Sequence, residues 1–155
     1  MKKVLALLIA FMLMFCPIAL SSAEDNIYKI YKVNSIVDGD TVDVTLSLGF
    51  NIFFNTRVRL NGINTPESRT SDLREKELGL KAKEFTSNFI ATSSGLTLVV
   101  EKREKFGREL GKILNQDGKS LGDELISAGL AREYHGEKRN GWFADAAAEP
   151  KLENL

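Results

Sequence analysis

The chain of 155 residues carries 21 basic and 21 acidic side chains, so its formal net charge is zero. It contains one cysteine, Cys16, and one histidine, His135, which leaves little material for a zinc site or for a nucleophile activated by histidine. Any catalytic metal would therefore depend mainly on oxygen ligands, which points to calcium, magnesium or manganese.

The N-terminal segment predicts a secretory signal peptide over residues 1 to 23. Two lysines precede an apolar run that extends to about residue 20, and small residues follow at Ser21 and Ala23, which is the order of regions typical of such signals. A single membrane anchor is the alternative, because the run approaches the ~18 to 20 residues that a spanning helix needs. With cleavage near Ala23, we expect a secreted or periplasmic monomer without stable membrane association.

Cleavage would leave a single domain over residues 24 to 155, with its core at about 28 to 135 and a short C-terminal helical tail. That domain would hold 19 basic and 21 acidic residues, a net charge of −2, because the removed segment contains two lysines and no acid. Stable nucleic-acid binders usually carry a basic surplus. The charge therefore favours an enzyme that engages one phosphate locally over a protein that coats nucleic acid.

Strand signals come first along the chain and return after a helical stretch. Segments rich in β-branched and aromatic residues are separated by turn signals at Gly39, Gly49 and Gly62. The predicted strands cover residues 27 to 36, 41 to 48, 52 to 61, 96 to 100 and 110 to 114.

Two helices are predicted between and after these strands. The first covers residues 73 to 92 after a cap at Asp72, and the second begins after Ser120 and ends at Gly129. A weaker third helix is predicted over residues 140 to 152. The residues expected to pack against the core are Leu78, Ala82, Phe85 and Phe89 in the first helix, Leu121 and Leu125 in the second, and Trp142 and Phe143 in the third.

This order is compatible with an α+β fold, a five-stranded OB-type β-barrel with two to three flanking helices. The order of elements alone does not distinguish the barrel from other small α+β folds.

The first candidate site is the sequence Val37-Asp38-Gly39-Asp40-Thr41, between the first two predicted strands. Two acids that flank a glycine can place carboxylate oxygens on a hard cation, while the glycine permits a tight backbone path. Asp-Gly is also a common hairpin turn. By itself the motif leaves metal binding and an ordinary turn both open.

The second candidate site covers residues 57 to 67. Arg57 and Arg59 fall on one face of the third strand, and the turn that follows presents Asn64, the Thr65 carbonyl and Glu67. The alternative is a solvated strand face followed by the loop into the helix. We prefer that alternative for Arg57.

The third candidate is the sequence Lys105-Phe106-Gly107-Arg108, because the arginine fork suits bidentate contact with phosphate. An isolated arginine after a glycine is more often a surface residue. Further on, Tyr134 and Lys138 could contact a nucleotide and its phosphate. The alternative there is a solvated loop with Trp142 packed on the barrel.

Taken together, the three motifs resemble those of the staphylococcal nuclease family. The family pattern is Asp-Gly-Asp-Thr, then Arg-x-x-x-x-Asp-Thr-Pro-Glu, then Tyr-Gly-Arg, and the likeness extends over about residues 28 to 135. The resemblance implies an OB-type barrel and a calcium-dependent nuclease that acts on DNA, RNA or both. Mg²⁺ and Mn²⁺ are alternative cofactors.

Position by position, the resemblance also implies roles for single residues. Asp40, Asn64 and the Thr65 carbonyl would be the metal ligands, with Asp38 as a nearby supporting acid. Glu67 would activate or orient water. Arg59 and Arg108 would hold the scissile phosphate and stabilise the charge that grows on its oxygens.

Two residues depart from the family pattern. Asn64 stands where the family usually has aspartate, so the amide oxygen can coordinate a metal but adds no negative charge, and weaker binding or a relaxed metal choice follows. Phe106 replaces the tyrosine, which keeps the ring and loses the hydroxyl. We expect the second change to alter substrate contact more than chemistry.

Two rival functions are a non-catalytic OB-type nucleic-acid-binding module and an exported inhibitor or structural domain. Asn64 favours the binding module, whereas the retained Asp40, Arg59, Glu67 and Arg108 and the missing basic surplus argue against it. Nothing in the sequence selects the inhibitor.

Overall fold

The computed structural model describes residues 26–104, 107–136 and 141–143. Its strands are β1 (Ile27–Asp38), β2 (Thr41–Ser47), β3 (Phe53–Leu60), β4 (Ile63–Asn64), β5 (Thr97–Arg103), β6 (Glu109–Leu114) and β7 (Arg132–Glu133). In the described part of the chain, five of them close a barrel in the order β1, β2, β3, β6, β5, and β4 pairs with β7 alone. All barrel neighbours are antiparallel except β3 and β6, which run parallel. The predicted α+β, OB-type barrel is confirmed.

Two helices flank the barrel within the described residues: α1 (Leu73–Thr92) and α2 (Leu121–Ser127). Both begin at the predicted caps, because the side chain of Asp72 accepts from the N–H of Arg74 and Glu75, and the side chain of Ser120 accepts from the N–H of Asp123. Neither helix has the length and apolar character needed to cross a membrane.

The core fills the barrel and extends beneath both helices. Inward-facing residues alternate along β2, and Leu121 and Leu125 of α2 are fully buried with them. On the buried face of α1, the predicted Ala82 is fully buried, but the other deeply buried residues, Gly79 and Thr86, were not predicted. Phe85 and Phe89 pack on the core while partly exposed. The small residues let α1 lie close to the loops that follow β1 and β4.

Several boundaries also differ from the prediction. β1 continues to Asp38 because Asp38 still pairs with Thr41 in the hairpin, and β5 continues to Arg103 because it pairs with Glu109. The β4–β7 ladder was not predicted, since strands of two residues show no periodicity. The predicted C-terminal helix lies outside the described residues except at 141–143, where Trp142 is buried.

Candidate active site

Asp40 and Arg59 form a buried ion pair at one end of the barrel. Asp40 lies in the turn after β1, and Arg59 lies in β3 opposite Thr41 of β2. Nη1 of Arg59 donates to Oδ1 of Asp40 over 3.0 Å, and the two side chains are only 8% and 4% exposed. Thr41 Oγ1 donates to the same oxygen over 2.8 Å. These charge-assisted bonds hold both side chains in one orientation.

The loop after β3 is tied to this ion pair at two points. Nη2 of Arg59 donates to Oδ1 of Asn64 over 3.1 Å, and the backbone N–H of Thr65 donates to Oδ2 of Asp40 over 3.1 Å. The structure thus brings Asp40, Arg59, Asn64 and Thr65 together in one hydrogen-bonded group, which we call the Asp40 cluster. Residues far apart in sequence meet there because β2 and β3 are neighbours in the barrel.

Glu67 is exposed beside the Asp40 cluster, and its backbone is fixed on both sides. Its own N–H donates to the carboxylate of Glu75 in the first turn of α1 over 3.3 Å. The next residue, Ser68, donates to Oδ1 of Asp38 through both its hydroxyl and its N–H. Asp38 therefore anchors the segment that carries Glu67, which is consistent with a supporting position.

Helix α1 fixes the positions of the turn after β1 and of the loop after β4. A Cβ placed on Gly79 would lie 2.6 Å from the carbonyl carbon of Glu67 and from the N of Ser68, so only glycine allows this approach. Farther along the helix, the Thr86 hydroxyl donates to the carbonyl of Gly39 over 2.7 Å. One rigid element thereby supports the turn before Asp40 and the loop that presents Glu67.

Arg108 lies outside the hydrogen-bonded Asp40 cluster. Its Nε donates to Oε2 of Glu104 over 2.5 Å, and its side chain is one third exposed. Glu104 lines a cavity of about 440 Å³ together with Arg59, Tyr134 and His135. Arg108 is therefore connected to the Arg59 cavity through a carboxylate that the sequence did not single out.

Arg108 also lines a second, larger concavity on the outside of the barrel, of about 590 Å³. Arg57 and Asp43 lie in its wall, and the guanidinium of Arg57 makes two hydrogen bonds of 2.6 and 2.9 Å to the carboxylate of Asp43. These bonds lower the pKa of Asp43, and a hydrogen bond from Ser35 acts in the same direction. Arg57 remains substantially exposed, in agreement with its interpretation as part of a solvated face.

The remaining predicted contacts have different outcomes. Tyr134 lies at the edge of the 440 Å³ cavity, where its N–H donates to the carbonyl of Gly62 over 2.9 Å. Phe106 and Lys138 lie outside the described residues. Trp142 is buried, with its ring 4.3 Å from the guanidinium carbon of Arg132.

Sequence reasoning missed Glu104, Gly79 and Thr86, each of which supports the site. Thr41 was visible inside the first motif, but its hydroxyl bond to Asp40 was not. Glu104 precedes the third motif by one residue, and nothing in the sequence indicated its pairing with Arg108. Gly79 and Thr86 were overlooked because periodicity weights large apolar residues.

A model of the family described as Staphylococcal nuclease homologue matches residues 57–151. The chain belongs to this family. The match includes Arg59, Asn64, Glu67 and Arg108, whereas Asp38 and Asp40 precede it.

Individual relatives of this chain include three proteins named for nuclease activity. Endonuclease YhcR of Bacillus subtilis is 26% identical over 109 residues, which are 66% of this chain and 9% of that protein. The thermonuclease of Staphylococcus intermedius is 30% identical over 104 residues (66% of this chain, 55% of the relative). The thermonuclease of Staphylococcus hyicus is 29% identical over 116 residues (74% and 60%). The chain thus spans little more than half of the thermonucleases and a small part of the first relative.

The candidate metal ligands of this chain have the kind of donor atom that a hard cation prefers. Asp40, Asn64 and the Thr65 carbonyl offer only oxygen, which suits calcium or magnesium. The Asp40 carboxylate accepts three hydrogen bonds, so about one of its four lone-pair positions stays open. Among the described residues, no three His, Cys, Asp or Glu side chains are grouped to hold a metal. The candidate ligand set therefore contains one carboxylate, that of Asp40, and Arg59 already offsets its charge.

Proposed function

We propose that the protein is an exported, calcium-dependent nuclease that hydrolyses phosphodiester bonds of DNA, RNA or both. The observation that carries this proposal is the Asp40 cluster, with buried Arg59 at its centre and exposed Glu67 beside it. Relatives named as an endonuclease and as thermonucleases support the class of reaction. The signal-like N-terminus supports export to the periplasm or the medium.

Glu67 is the general base in this proposal. Its carboxylate takes a proton from a water molecule, whose oxygen attacks phosphorus while the bond to the leaving oxygen breaks. The leaving oxygen takes a proton from bulk water, and the proton on Glu67 returns to solvent. The side chain is exposed to water and its backbone is held by α1 and Asp38. A general base on a fixed backbone loses little conformational entropy when it reaches the reacting geometry.

Arg59 and Arg108 stabilise the negative charge that grows on the phosphoryl oxygens. A guanidinium has five N–H donors, and Arg59 uses two of them on Asp40 and Asn64 in this structure. Its remaining donors are available for phosphate at the 440 Å³ cavity that it lines. Arg108 reaches the same substrate from the side of Glu104, and Asp40 and Glu104 orient the two forks before substrate arrives.

Asp40, Asn64 and the Thr65 carbonyl hold the cation in this proposal. When bound, the cation would polarise a phosphoryl oxygen and help to orient the attacking water. With a single carboxylate among the ligands, we expect modest calcium affinity and tolerance of Mg²⁺ or Mn²⁺. Tyr134, Phe106 and Lys138 are proposed to contact the substrate farther from the reacting phosphate.

The test compares Glu67→Gln with Glu84→Gln, a matched change at an exposed glutamate on α1. Residues 24 to 155 are incubated with single-stranded DNA, duplex DNA and RNA across a calcium series, with chelator as a further control. We expect calcium-dependent cleavage that falls about a hundredfold or more in Glu67→Gln and is unchanged in Glu84→Gln. Equal rates in the two variants would contradict the assignment of Glu67.

A second candidate, a non-catalytic nucleic-acid-binding module, is favoured by one feature of the structure. Arg59 and Arg108 are each already paired with an acid, and Asn64 brings no charge to the ligand set. Binding without cleavage at any level of calcium, magnesium or manganese would support this module in place of the nuclease.

A further inference from the structure

The end of the barrel opposite the Asp40 cluster presents an unusually large group of exposed apolar side chains. They come from the start of β1 and from the hairpin between β2 and β3, and we call them the apolar end: Ile27, Tyr31, Leu48, Phe50, Ile52, Phe53 and Phe54. The rings of Tyr31 and Phe53 pack with centroids 4.7 Å apart, which brings apolar residues of β1 and β3 into contact. Contiguous apolar surface of this kind marks an interaction site, since single exposed apolar residues are normal but clusters are not.

The tip of the hairpin is built to expose its aromatic ring. Phe50 is 100% exposed, and both Phe50 and Asn51 have positive φ angles of 47° and 60°. Residues other than glycine adopt this conformation at a cost, and a bulky one does so rarely. The chain therefore accepts both backbone strain and the exposure of a phenylalanine at the same position, which a purely structural turn would not require.

The charge beside the apolar end indicates what covers it. Lys29 and Lys32 are exposed on β1 next to the apolar residues, and Lys29 pairs with Ser47 at the base of the hairpin. Positive charge beside apolar surface suits an anionic lipid surface.

In place of the expected lack of stable membrane association, we propose that the apolar end docks on the interface of an anionic lipid bilayer. The side chains of Phe50 and Ile52 insert at the boundary between headgroups and acyl chains, and Lys29 and Lys32 contact lipid phosphates. β2 and β3 run from the apolar end to the Asp40 cluster, a distance of about 20 to 25 Å at the usual rise per residue. The Asp40 cluster would consequently face away from the membrane and stay open to solvent.

The experiment measures binding of residues 24 to 155 to vesicles of phosphatidylcholine alone and of phosphatidylcholine with an equal share of phosphatidylglycerol. Residues 24 to 155 include every described residue of the hydrophobic core, the first of which is Ile30. We expect binding to the anionic vesicles, reduced about tenfold or more in Phe50→Asn because one buried ring is lost. Asparagine tolerates positive φ, so this variant should fold at least as well, which thermal unfolding would verify.

Matched variants distinguish binding through the apolar end from nonspecific binding to vesicles. Leu80→Gln removes an exposed leucine from α1, outside the apolar end, and should leave vesicle binding unchanged. The double change Lys29→Glu and Lys32→Glu should weaken binding to the anionic vesicles but leave the small binding to neutral vesicles as it was.

Three outcomes would overturn the proposal. One is failure of the unmodified protein to bind either vesicle, and another is equal binding by the Phe50→Asn variant. The third is a dimer in sedimentation velocity that Phe50→Asn converts to a monomer while vesicles have no effect, because a second copy of the chain would then cover the apolar end.

Discussion

Asn64 determines how much negative charge surrounds the donor atoms of the Asp40 cluster. Its amide oxygen accepts from Arg59, whose other arm is held by Asp40. A carboxylate at this position would accept the same bond and add a charge, so Asn64→Asp should raise calcium affinity about tenfold or more. Calcium titration by calorimetry measures this without reference to cleavage.

The matched control for that change is Asn34→Asp, which adds the same charge on the exposed part of β1. It should leave calcium affinity nearly unaltered. Unchanged affinity in Asn64→Asp would mean that this residue is not a ligand.

Arg57 and Asp43 provide a residue-scale test of electrostatics away from the Asp40 cluster. The pKa of Asp43 is lowered chiefly by its hydrogen bond from Arg57, so the pair stabilises the fold above the unfolded carboxyl pKa of about 3.9 and loses that effect as pH falls through the lower folded value. Both groups are partly exposed, and Arg57→Gln should therefore lower the free energy of unfolding at pH 7 by less than about 1 kcal/mol.

Urea unfolding of Arg57→Gln and the parent protein, at pH 7 and at about pH 2.5, measures this dependence. The difference between the two should shrink toward zero at the lower pH. A difference that persisted in acid would mean that Arg57 stabilises the barrel through packing and not through its charge.

At the scale of elements, α1 is the part that positions the site. Gly79 faces the Glu67–Ser68 peptide at a distance that excludes a Cβ. Gly79→Ala should consequently displace the loop and lower the free energy of unfolding by about 1 to 3 kcal/mol, although alanine is the better helix former. Urea unfolding reports the stability, and the cleavage rate reports the displacement of Glu67.

Gly122→Ala in α2 is the control, because its added Cβ would meet only Ser120 and Ile63 at 3.6 Å or more. That variant should be unchanged or more stable by up to about 1 kcal/mol. Equal effects of the two alanines would show that close approach at Gly79 is not what places the loop.

Elements of regular length could be predicted from the sequence, whereas the contacts between them could not. The bounds of α1 followed from the cap at Asp72 and from apolar periodicity, because both signals are local. Its deepest contacts use Gly79 and Thr86, whose burial depends on the loops that reach them from elsewhere in the chain. The motifs that singled out Asp40, Asn64 and Thr65 as candidates are also local signals. The hydrogen bond between Arg59 and Asp40 depends on the packing of β2 beside β3 and could not be predicted from them.

At the scale of the whole molecule, β6 closes the barrel between β3 and β5. Gly111 pairs with Leu60 on one side and Val100 on the other, and an added Cβ would lie 2.2 Å from the carbonyl oxygen of Val99. Gly111→Ala should therefore separate the strands and cost about 3 kcal/mol of stability. The parent domain should unfold in one transition by two spectroscopic probes, as a single closed core requires.

Gly118→Ala is the comparison for that change, since its Cβ would meet open space and only its positive φ is strained. We expect a smaller loss, about 1 to 2 kcal/mol. Barrel closure by parallel β3 and β6 could not be predicted from the order of elements, because that order suits other α+β folds equally well.

The two-residue ladder between β4 and β7 can form only after residues 132 and 133 have been synthesised. Asn64 receives its partner Arg132 from a part of the chain that is made long after the loop itself. A polypeptide still being synthesised lacks this partner strand and the Tyr134 N–H that holds Gly62. Of the strands in the described part of the chain, the one that pairs with Asn64 is the last to be made, so the Asn64 loop gains its partner only when the rest of the described sheet is already present.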